Sequence, residues 1–369
     1  MTLSRRKTLA LIGGGTIFAA GAASAGFIMT RTPSKALSPW ADAGTYDDPR
    51  LRALSYALLA PNPHNRQPWE AELIGDNQVA IYRDPTRNLP VTDPFARQLT
   101  IGMGCFLELM KLAAAEEGFD VEMTLFPEWE ANQVALCTFI PNAAKSDPLF
   151  AHVMERRSHK DMFDPRTIEA DKEKQLAAYA TIYTDPENVA ALKEIGVEAW
   201  LIEANTQDAW QESIDLFRIG KSEINAQPDG IDLGGPMLEA LNKVGLFTRE
   251  VAADLENPGT QAAVQDMVDA VNQAPAFVVQ TTQGNTQENQ IEAGQQWLRL
   301  NLATTSLGLA LRPISQALQE YPEMEGPYKA IHEKFAEDGE TVQMLGLLGY
   351  GQLTPRTPRW PLETRLRNG

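Results

Sequence analysis

Two short segments of this sequence carry side chains whose types and spacing suit the binding of a polar ligand. In residues 61–69, PNPHNRQPW, three prolines flank the amide side chains of Asn65 and Gln67. Proline fixes the backbone, and each amide both donates and accepts hydrogen bonds. Such an edge suits a planar heterocycle rimmed by carbonyls and ring nitrogens, but it also suits a rigid turn between a helix and a strand, capped by the two amides. The pattern leaves both interpretations open.

The second segment is a compact group of cations at residues 156–160, RRSHK, in a chain with a formal net charge of −17. Arginine, lysine and serine side chains make the charge-assisted hydrogen bonds that phosphate oxygens favour. Residues 354–361, TPRTPRWP, form another cationic site, whose prolines would hold both arginines extended toward one anion. A solvated helix end and a disordered tail are the respective alternatives.

The composition limits the class of protein. The chain has 369 residues, of which 43% are hydrophobic, and at roughly 150 residues per domain this suggests about two globular domains. A pI near 4.7 argues against a nucleic-acid binder and against docking of the folded surface on an anionic membrane. We predict no metal site, because the histidines lack ligand spacing and there are only two cysteines, Cys105 and Cys137. These are either buried free thiols or one disulfide.

The start of the chain has the layout of a targeting segment. Residues 4–9, SRRKTL, lead into an apolar run over residues 9–27 that contains a small-residue cleavage pattern, ASA, at 23–25. This layout resembles a twin-arginine signal, which implies recognition by the twin-arginine export machinery and a periplasmic location. We expect a signal peptide over residues 1–25 and a linker over 26–47, with an uncleaved membrane anchor as the alternative. Membrane contact would then be limited to this segment.

Hydrophobic periodicity predicts two modules, residues 48–145 and 146–369, with a similar order of helices and strands. That similarity suggests a degenerate internal duplication. A long region near 206–272 interrupts the second module, and its segment 228–236, PDGIDLGGP, has the composition of a mobile loop or lid. The predicted helices cover 48–60, 97–117 and 289–309, and the predicted strands cover 69–73, 78–83, 121–126, 133–140, 197–203, 276–281 and 343–348.

Three motifs taken together resemble the nitroreductase family of flavoproteins. They are the NxQPW element at 65–69, the Arg-Arg-Ser-x-Lys cluster at 156–160, and a terminal Gly-Tyr-Gly followed by Pro-Arg, and they span about residues 48–365. The resemblance implies an α+β fold in which two nitroreductase-like modules pack within one chain as an internal pseudo-dimer. It also implies that FMN lies at the interface of the two modules.

The resemblance further implies which residues bind FMN. The cationic cluster would hold the ribityl phosphate, and the C-terminal arm would complete that site. The turn before QPW would contact the isoalloxazine from the other module, and residues 311–316 would bring backbone close to the reactive ring nitrogen. No catalytic residue is assigned, although His64 could donate a proton. The implied cofactor-binding residues are Arg156, Arg157, Ser158, Lys160, Pro61, Asn62, Pro63, Asn65, Gln67, Pro313, Ile314, Ser315, Arg356 and Arg359.

Departures from the family pattern predict a single cofactor site. The NxQPW element occurs only in the first module and the phosphate cluster only in the second. At the corresponding place the first module has residues 48–52, DPRLR, which are basic but lack the serine. Pro63 also replaces a small polar residue common in the family. We therefore expect one FMN per chain.

The resemblance implies an FMN-dependent oxidoreductase that reduces a nitroaromatic, a quinone or a similar planar small molecule. The electron donor stays open, because NAD(P)H, which the family commonly uses, should be scarce outside the cytoplasm. The alternative is a protein that stores or sequesters FMN beneath a lid near residues 225–240.

Overall fold

The computed structural model describes residues 30–127 and 132–367. The predicted signal peptide, residues 1–25, lies outside these described residues, and so do residues 26–29 of the predicted linker. The first described helix, Pro39–Asp42, therefore lies within the predicted linker.

The helices and strands of the described residues form two halves, each with its own four-stranded sheet. The helices are α1 (Pro39–Asp42), α2 (Pro49–Ala57), α3 (Arg97–Glu116), α4 (Ala170–Leu176), α5 (Pro186–Asn205), α6 (Gln207–Asp215), α7 (Gly220–Ala226), α8 (Pro236–Lys243), α9 (Arg249–Ala253), α10 (Pro258–Gln273), α11 (Gln287–Ser306) and α12 (Glu325–Phe335). The strands are β1 (Trp69–Ile74), β2 (Gln78–Arg83), β3 (Asp120–Leu125), β4 (Gln133–Ile140), β5 (Thr181–Tyr183), β6 (Phe217–Ile219), β7 (Ile231–Leu233), β8 (Ala276–Gln283), β9 (Ala310–Pro313) and β10 (Glu340–Gly349).

The first half of the chain forms an antiparallel sheet with the strand order β1-β2-β4-β3. Helix α3 belongs to its core, and 17 of its 20 residues are buried. Among the described residues, α3 is the helix whose length and apolar character would allow it to cross a membrane. Its burial against the rest of the protein instead identifies it as a core helix.

The second half repeats this arrangement. Its antiparallel sheet has the order β5-β8-β10-β9, so each strand occupies the place of its counterpart in the first sheet. The two sheets differ in one connection: residues 75–77 join β1 to β2, whereas residues 184–275 join β5 to β8. That insertion carries α5 to α10 and a separate parallel pair of strands, β6 and β7.

Helices α3 and α11 cross at the centre through a reciprocal glycine contact. Gly104 is the eighth residue of α3, and Gly294 is the eighth residue of α11. A Cβ at Gly104 would lie 2.2 Å from the carbonyl oxygen of Ile291, and one at Gly294 would lie 1.9 Å from that of Ile101. Each helix thus meets the other with the same pair of positions, as subunits do across a two-fold axis.

Most predicted elements of regular period are confirmed, but the strand predicted at 197–203 is wrong. The bounds of β2 and β4 match the predicted 78–83 and 133–140. Residues 197–203, by contrast, lie inside the long helix α5. A short apolar run does not distinguish a strand from about two turns of a buried helix, because its length hides the period.

The described part of the predicted linker, residues 30–47, is packed against the C-terminal arm. Trp40 in α1 is 1% exposed, and its indole N–H donates to the carbonyl oxygen of Thr357 at 2.8 Å. The backbone N–H of Arg359 donates to the carbonyl oxygen of Ala36, also at 2.8 Å. Residues 36–40 of this linker are therefore held against the arm, because a tryptophan in a polar segment is stabilised by burial.

Candidate functional site

A cavity of about 210 Å³ lies where the two halves of the chain meet. The first half contributes the turn at residues 61–64 and one face of α3, and the second half contributes Ser158, α11 and the segment after β9. Two motifs that lie far apart in the sequence therefore share one cavity. Its lining residues are Pro61, Asn62, Pro63, His64, Gln98, Ile101, Gly102, Cys105, Ser158, Trp297, Pro313, Ser315, Gln316 and Met344.

The turn that enters this cavity has an unusual backbone. His64, Asn65 and Gln67 have φ angles of 46°, 51° and 49°, a left-handed region that residues with a Cβ rarely adopt. Conformations of this kind persist where surrounding contacts hold them, and they are frequent at functional sites. Gly102 of α3 is one such contact, since a Cβ there would lie only 3.1 Å from Cβ of Asn62.

The amides of Asn65 and Gln67 hold the turn and do not line the cavity. The Asn65 amide accepts from a guanidinium nitrogen of Arg359 at 2.7 Å and donates to the carbonyl oxygen of Pro358 at 3.1 Å. The Gln67 amide donates to the carbonyl oxygen of Pro228 at 2.7 Å and accepts from the backbone N–H of Trp360 at 2.9 Å. The geometry therefore favours the turn-cap interpretation of these two residues over contact with a heterocycle.

Residues 313–315, at the end of β9 and just after it, contribute two of their three predicted residues to the cavity wall. Pro313 and Ser315 line the cavity. Ile314 does not: its side chain is buried among apolar residues, and its backbone N–H donates to the carbonyl oxygen of Leu345 at 3.0 Å. Because the sheet already uses that N–H, Ile314 has no free backbone donor for a ligand.

Four arginines, Arg156, Arg157, Arg356 and Arg359, form a cluster beside this cavity, here called the four-arginine cluster. The Arg156 guanidinium donates to Asn301 Oδ1 at 3.0 Å and to the carbonyl oxygen of Leu59 at 2.7 Å. Arg359 donates to the carbonyl oxygens of residues 58–60 at 2.7–3.2 Å. Both side chains thus tie the second half of the chain to the end of α2.

The other two members of the cluster are less buried and flank Trp40. The guanidinium carbons of Arg157 and Arg356 each lie 5.0 Å from the centre of the Trp40 ring. Arg157 also donates to the carbonyl oxygens of Thr354, Met154 and its neighbour in sequence. Arg356 makes one long contact of 3.5 Å with a carbonyl oxygen. These two guanidinium groups therefore keep donor capacity for a ligand.

The hydrogen bonds of the cluster go to neutral oxygens. Within the part of the chain that the structure describes, no carboxylate lies within ion-pair distance of any of the four, and Nε of Arg156 has no hydrogen-bond partner. Burial, together with the smaller effect of the nearby Arg156 charge, lowers the pKa of Arg359 to about 9. Burial likewise lowers the pKa of Arg156 to about 10. An anion placed here would relieve both costs.

Lys160, predicted to join the phosphate site, is instead paired with a carboxylate of the insertion. Its Nζ pairs with a carboxylate oxygen of Asp232 at 2.8 Å, and both side chains are partly exposed. Lys160 lines a second and larger cavity that adjoins the first through His64, Pro313 and Gln316. The pairing connects the RRSHK segment to strand β7 of the insertion.

The segment predicted as a mobile lid, residues 228–236, is fixed at its start. Asp229 is 4% exposed and pairs with Arg87 at 2.7 Å, with Arg218 at 3.0 Å and with Arg66 at 3.8 Å. The backbone N–H of Gly230 donates to the carbonyl oxygen of Asn65 at 3.2 Å. The insertion is therefore tied to the same turn that enters the first cavity.

Sequence reasoning missed the cavity wall that α3 and α11 provide. Gly102 and Cys105 in the run IGMGC carried the available signal, since small residues on an apolar helix face permit close approach. Cys105 and Cys137 are both free and buried, and burial raises the pKa of each thiol to about 12. Neither is therefore a thiolate at neutral pH. No group of three potential metal ligands occurs among the described residues.

No family model matches the chain. Among curated proteins, it is 21% identical over 305 residues to the probable NAD(P)H nitroreductase PigM of Serratia sp., an alignment that covers 74% of this chain and 82% of that protein. It is 35% identical over 75 residues to a Mycobacterium tuberculosis protein named provisionally as the NAD(P)H nitroreductase acg, covering 20% of this chain and 22% of that one. The FMN-dependent nitroreductase NfnB of Mycobacterium smegmatis, solved with NADPH, aligns with 58% of this chain and 96% of its own, at 16% identity and a TM-score of 0.37.

The protein has an α+β fold with a cavity where its two halves meet. The names of its relatives support the nitroreductase family that the three motifs indicate, and they suggest an oxidoreductase.

Proposed function

We propose that this protein is an FMN-dependent oxidoreductase of the nitroreductase type that binds one FMN per chain between its two halves. The four-arginine cluster carries this proposal. It has no carboxylate partner among the described residues, although the chain has a net charge of −17 and carboxylates are plentiful. Cations left unpaired in an acidic protein suit a bound anion such as a phosphate monoester.

The cavity next to the cluster fits the other end of a flavin. Pro61, Pro63, Ile101 and Trp297 give it flat or apolar walls, while Ser158, Gln98 and Gln316 add hydrogen-bonding groups. A mostly apolar pocket with a few placed polar groups is the usual form of a cofactor site. The glycine at 102 lets the turn and α3 close on it from one side.

We also propose that the two halves are a fused pseudo-dimer. Three observations support this: the two sheets have the same strand order, α3 and α11 meet through equivalent glycines, and their equivalent isoleucines supply the contacted carbonyl oxygens. The turn at residues 61–64 comes from the first half and Ser158 from the second. Because each half carries only one of the two motifs, the chain forms one complete site.

The chain's residues would bind and orient the cofactor, and flavin, when bound, supplies hydride transfer. The arginines would hold the phosphate, and the turn would pack against the ring system. His64 lines both cavities, and burial lowers the pKa of its imidazole, so it is neutral at pH 7. A neutral imidazole there would orient a polar group of the bound molecule by a hydrogen bond.

For the location, we propose export by the twin-arginine machinery to the periplasm, with an uncleaved anchor as the alternative. The arginine pair and the apolar run at residues 5–27 support this. The donor there would be a membrane quinol or a redox protein, whereas the names of the relatives specify NAD(P)H. The acceptor would be a nitroaromatic, a quinone or a similar planar small molecule.

A storage role is the second candidate, and the fixed insertion favours it. Asp229 and Gly230 tie the start of the 228–236 segment to the turn, so this segment lacks the freedom expected of an opening lid. A flavin held beneath a closed cover would exchange and react slowly.

The absorbance spectrum of the purified full chain tests the proposal. We expect a flavin spectrum with one FMN released per chain on denaturation. Absence of flavin after incubation with excess FMN would refute FMN binding, and two FMN per chain would refute the single site.

Reoxidation kinetics separate the two roles. After photoreduction of the bound FMN, an enzyme should transfer electrons rapidly to 4-nitrobenzoate or a soluble quinone. Reoxidation that no acceptor accelerates would favour storage.

A further inference from the structure

The second cavity, of about 750 Å³, is built largely by the insertion between β5 and β8. Its walls include residues of α5, α6, α10 and the β6–β7 pair, none of which has a counterpart in the first half. It shares His64, Pro313 and Gln316 with the first cavity. Of the residues that the sequence assigns to FMN, two, Lys160 and Pro313, line this cavity, and its remaining walls have no assigned ligand.

One end of this cavity presents aromatic faces. The rings of Trp200 and Trp210 are 6.0 Å apart at an angle of 68°, and Phe217 lines the same space. The indole N–H groups donate to the carbonyl oxygens of Val264 at 2.9 Å and Ala252 at 3.0 Å. Both N–H groups are used by the backbone, and the two rings meet edge to face. The tryptophans therefore offer a ligand the ring faces that their own contact leaves uncovered, and such faces attract cations.

A buried carboxyl group lies at the same end. Glu203 is 2% exposed, lines the cavity and accepts from Nε2 of Gln319 at 2.6 Å. Its hydrogen-bonding neighbours, Gln319 and Gln316, are uncharged. Burial raises the pKa of Glu203 to about 7, and no cation of the described residues opposes that rise.

Neither of the two cations that line this cavity, Lys160 and Arg312, pairs with Glu203. Lys160 pairs with Asp232 at 2.8 Å. The Arg312 guanidinium donates to the carbonyl oxygen of Lys160 at 3.0 Å and contacts the sulfur of Met267 at 2.8 Å. The aromatic end therefore contains a carboxyl group without a cation of the protein's own to neutralise it.

We infer that the second cavity binds a planar aromatic ligand that carries a protonated amine, with the ammonium group between the tryptophan faces and Glu203. The aromatic part would extend toward the wall shared with the first cavity. The inference depends on the proposed function only in treating this ligand as the molecule to be reduced. The binding itself requires only the residues described here.

A matched pair of probes tests the charge preference. We would titrate the full-length protein at pH 8, where Glu203 is ionised, with 4-nitrobenzylamine and with 4-nitrobenzyl alcohol in a calorimeter. The probes share size and ring but differ in charge. We expect the amine to bind at least 10-fold more tightly than the alcohol.

Two variants assign that preference to one side chain. Glu203→Gln keeps a hydrogen-bonding group for Gln319 and removes the charge, so it should abolish the preference by weakening the amine alone. Asp266→Asn is the control, because Asp266 also lines the cavity but is exposed to solvent. Asp266→Asn should change the ratio of the amine affinity to the alcohol affinity by less than 2-fold.

Equal binding of the two probes by the unmodified protein would overturn the inference, as would a Glu203→Gln variant that weakens both probes equally. No binding of either probe would also overturn it. Measuring flavin in the same samples separates the two claims. A flavin-free protein that prefers the amine retains this site while the proposed function fails, and a flavin-loaded protein without preference gives the reverse result.

Discussion

Two groups of buried or partly buried arginines in this protein differ in the partners of their guanidinium groups. Around Asp229, three arginines share one carboxylate, and Asp84 pairs with Arg87 at 3.1 Å. In the four-arginine cluster, the guanidinium groups meet carbonyl oxygens and the face of Trp40. The first group is compensated by carboxylates at ion-pair distance, whereas the second has none at that distance among the described residues.

This difference separates a structural group from a binding group although their residue types are the same. Breaking a compensated group should cost stability, because it leaves buried charge without a partner. Changing the less buried members of the uncompensated cluster should cost ligand affinity and leave stability nearly intact. The predictions below test each side of that contrast.

The largest effect is expected for Asp229→Ala. Removing this carboxylate leaves the buried guanidinium groups of Arg66, Arg87 and Arg218 without it, and losing one partner of a buried pair typically costs about 3–5 kcal/mol. Urea denaturation followed by circular dichroism would measure the free energy of unfolding. A loss below about 1 kcal/mol, the range of an exposed pair, would show that the group is not a structural one.

The second-largest effect is expected for the double substitution of Arg157→Gln and Arg356→Gln, which should weaken the binding of FMN. Each charge-assisted hydrogen bond contributes roughly 1.5–3 kcal/mol, so losing two should weaken FMN binding about 100-fold or more. The free energy of unfolding without FMN should change by less than about 1 kcal/mol, since the present contacts are to exposed or neutral groups. Fluorescence titration with FMN would measure the affinity.

A control for net charge is available in the same chain. Arg166→Gln with Arg367→Gln also removes two positive charges, but these arginines pair with Asp164 and Glu70 away from the cavity. This control should bind FMN as the unmodified protein does. Equal weakening in both double variants would point to the overall charge and against the four-arginine cluster as the phosphate site.

Glu203 extends the contrast to an uncompensated carboxyl group. Burial raises its pKa from 4.5 to about 7. Between these two pH values the folded state therefore keeps a proton that the unfolded chain has already released. Its contribution to stability is complete below pH 4.5 and is lost as the pH rises through 7, by an amount on the order of 3 kcal/mol. The free energy of unfolding of unmodified protein, compared with Glu203→Gln across pH 4.5–8, would measure this. Parallel pH curves for the two proteins would contradict the raised pKa.

The sequence predicted the elements whose hydrophobic period is long enough to be read. Strands β2 and β4 match their predicted bounds, and α3 ends within one residue of the predicted helix. It did not predict that residues 30–47 pack against the C-terminal arm or that residues 197–203 are helical. In the first case the partner that buries the segment is distant in the chain. In the second, a seven-residue apolar run is too short to reveal its period.

For the site, the sequence identified the right segments but not the direction of each side chain. Pro61, Pro63 and Ser158 line the cavity, whereas the amide of Asn65 faces the C-terminal arm. An amide that can bind a ligand can equally cap a turn, and residue type does not distinguish the two. The contribution of Gly102 could not be read either, because it depends on how closely the turn approaches α3.

The smallest effect is expected at the partly exposed pair of Lys160 and Asp232. This pair is compensated like the Asp229 group, but the family resemblance assigns its lysine to the phosphate. Asp232→Asn removes the partner of a lysine that the family resemblance assigns to the phosphate, so Lys160 is freed to reorient toward a ligand. An exposed pair contributes about 0–1 kcal/mol, so stability should barely change, while FMN affinity should rise by roughly 2–3-fold at low salt. The gain should diminish at 0.5 M salt because exposed charges are screened.

Asp161→Asn is the control, because it removes a neighbouring charge that is not paired with Lys160, and it should leave the affinity for FMN unchanged. A matching gain in that control would mean that a general reduction of negative charge, and not release of Lys160, improves binding.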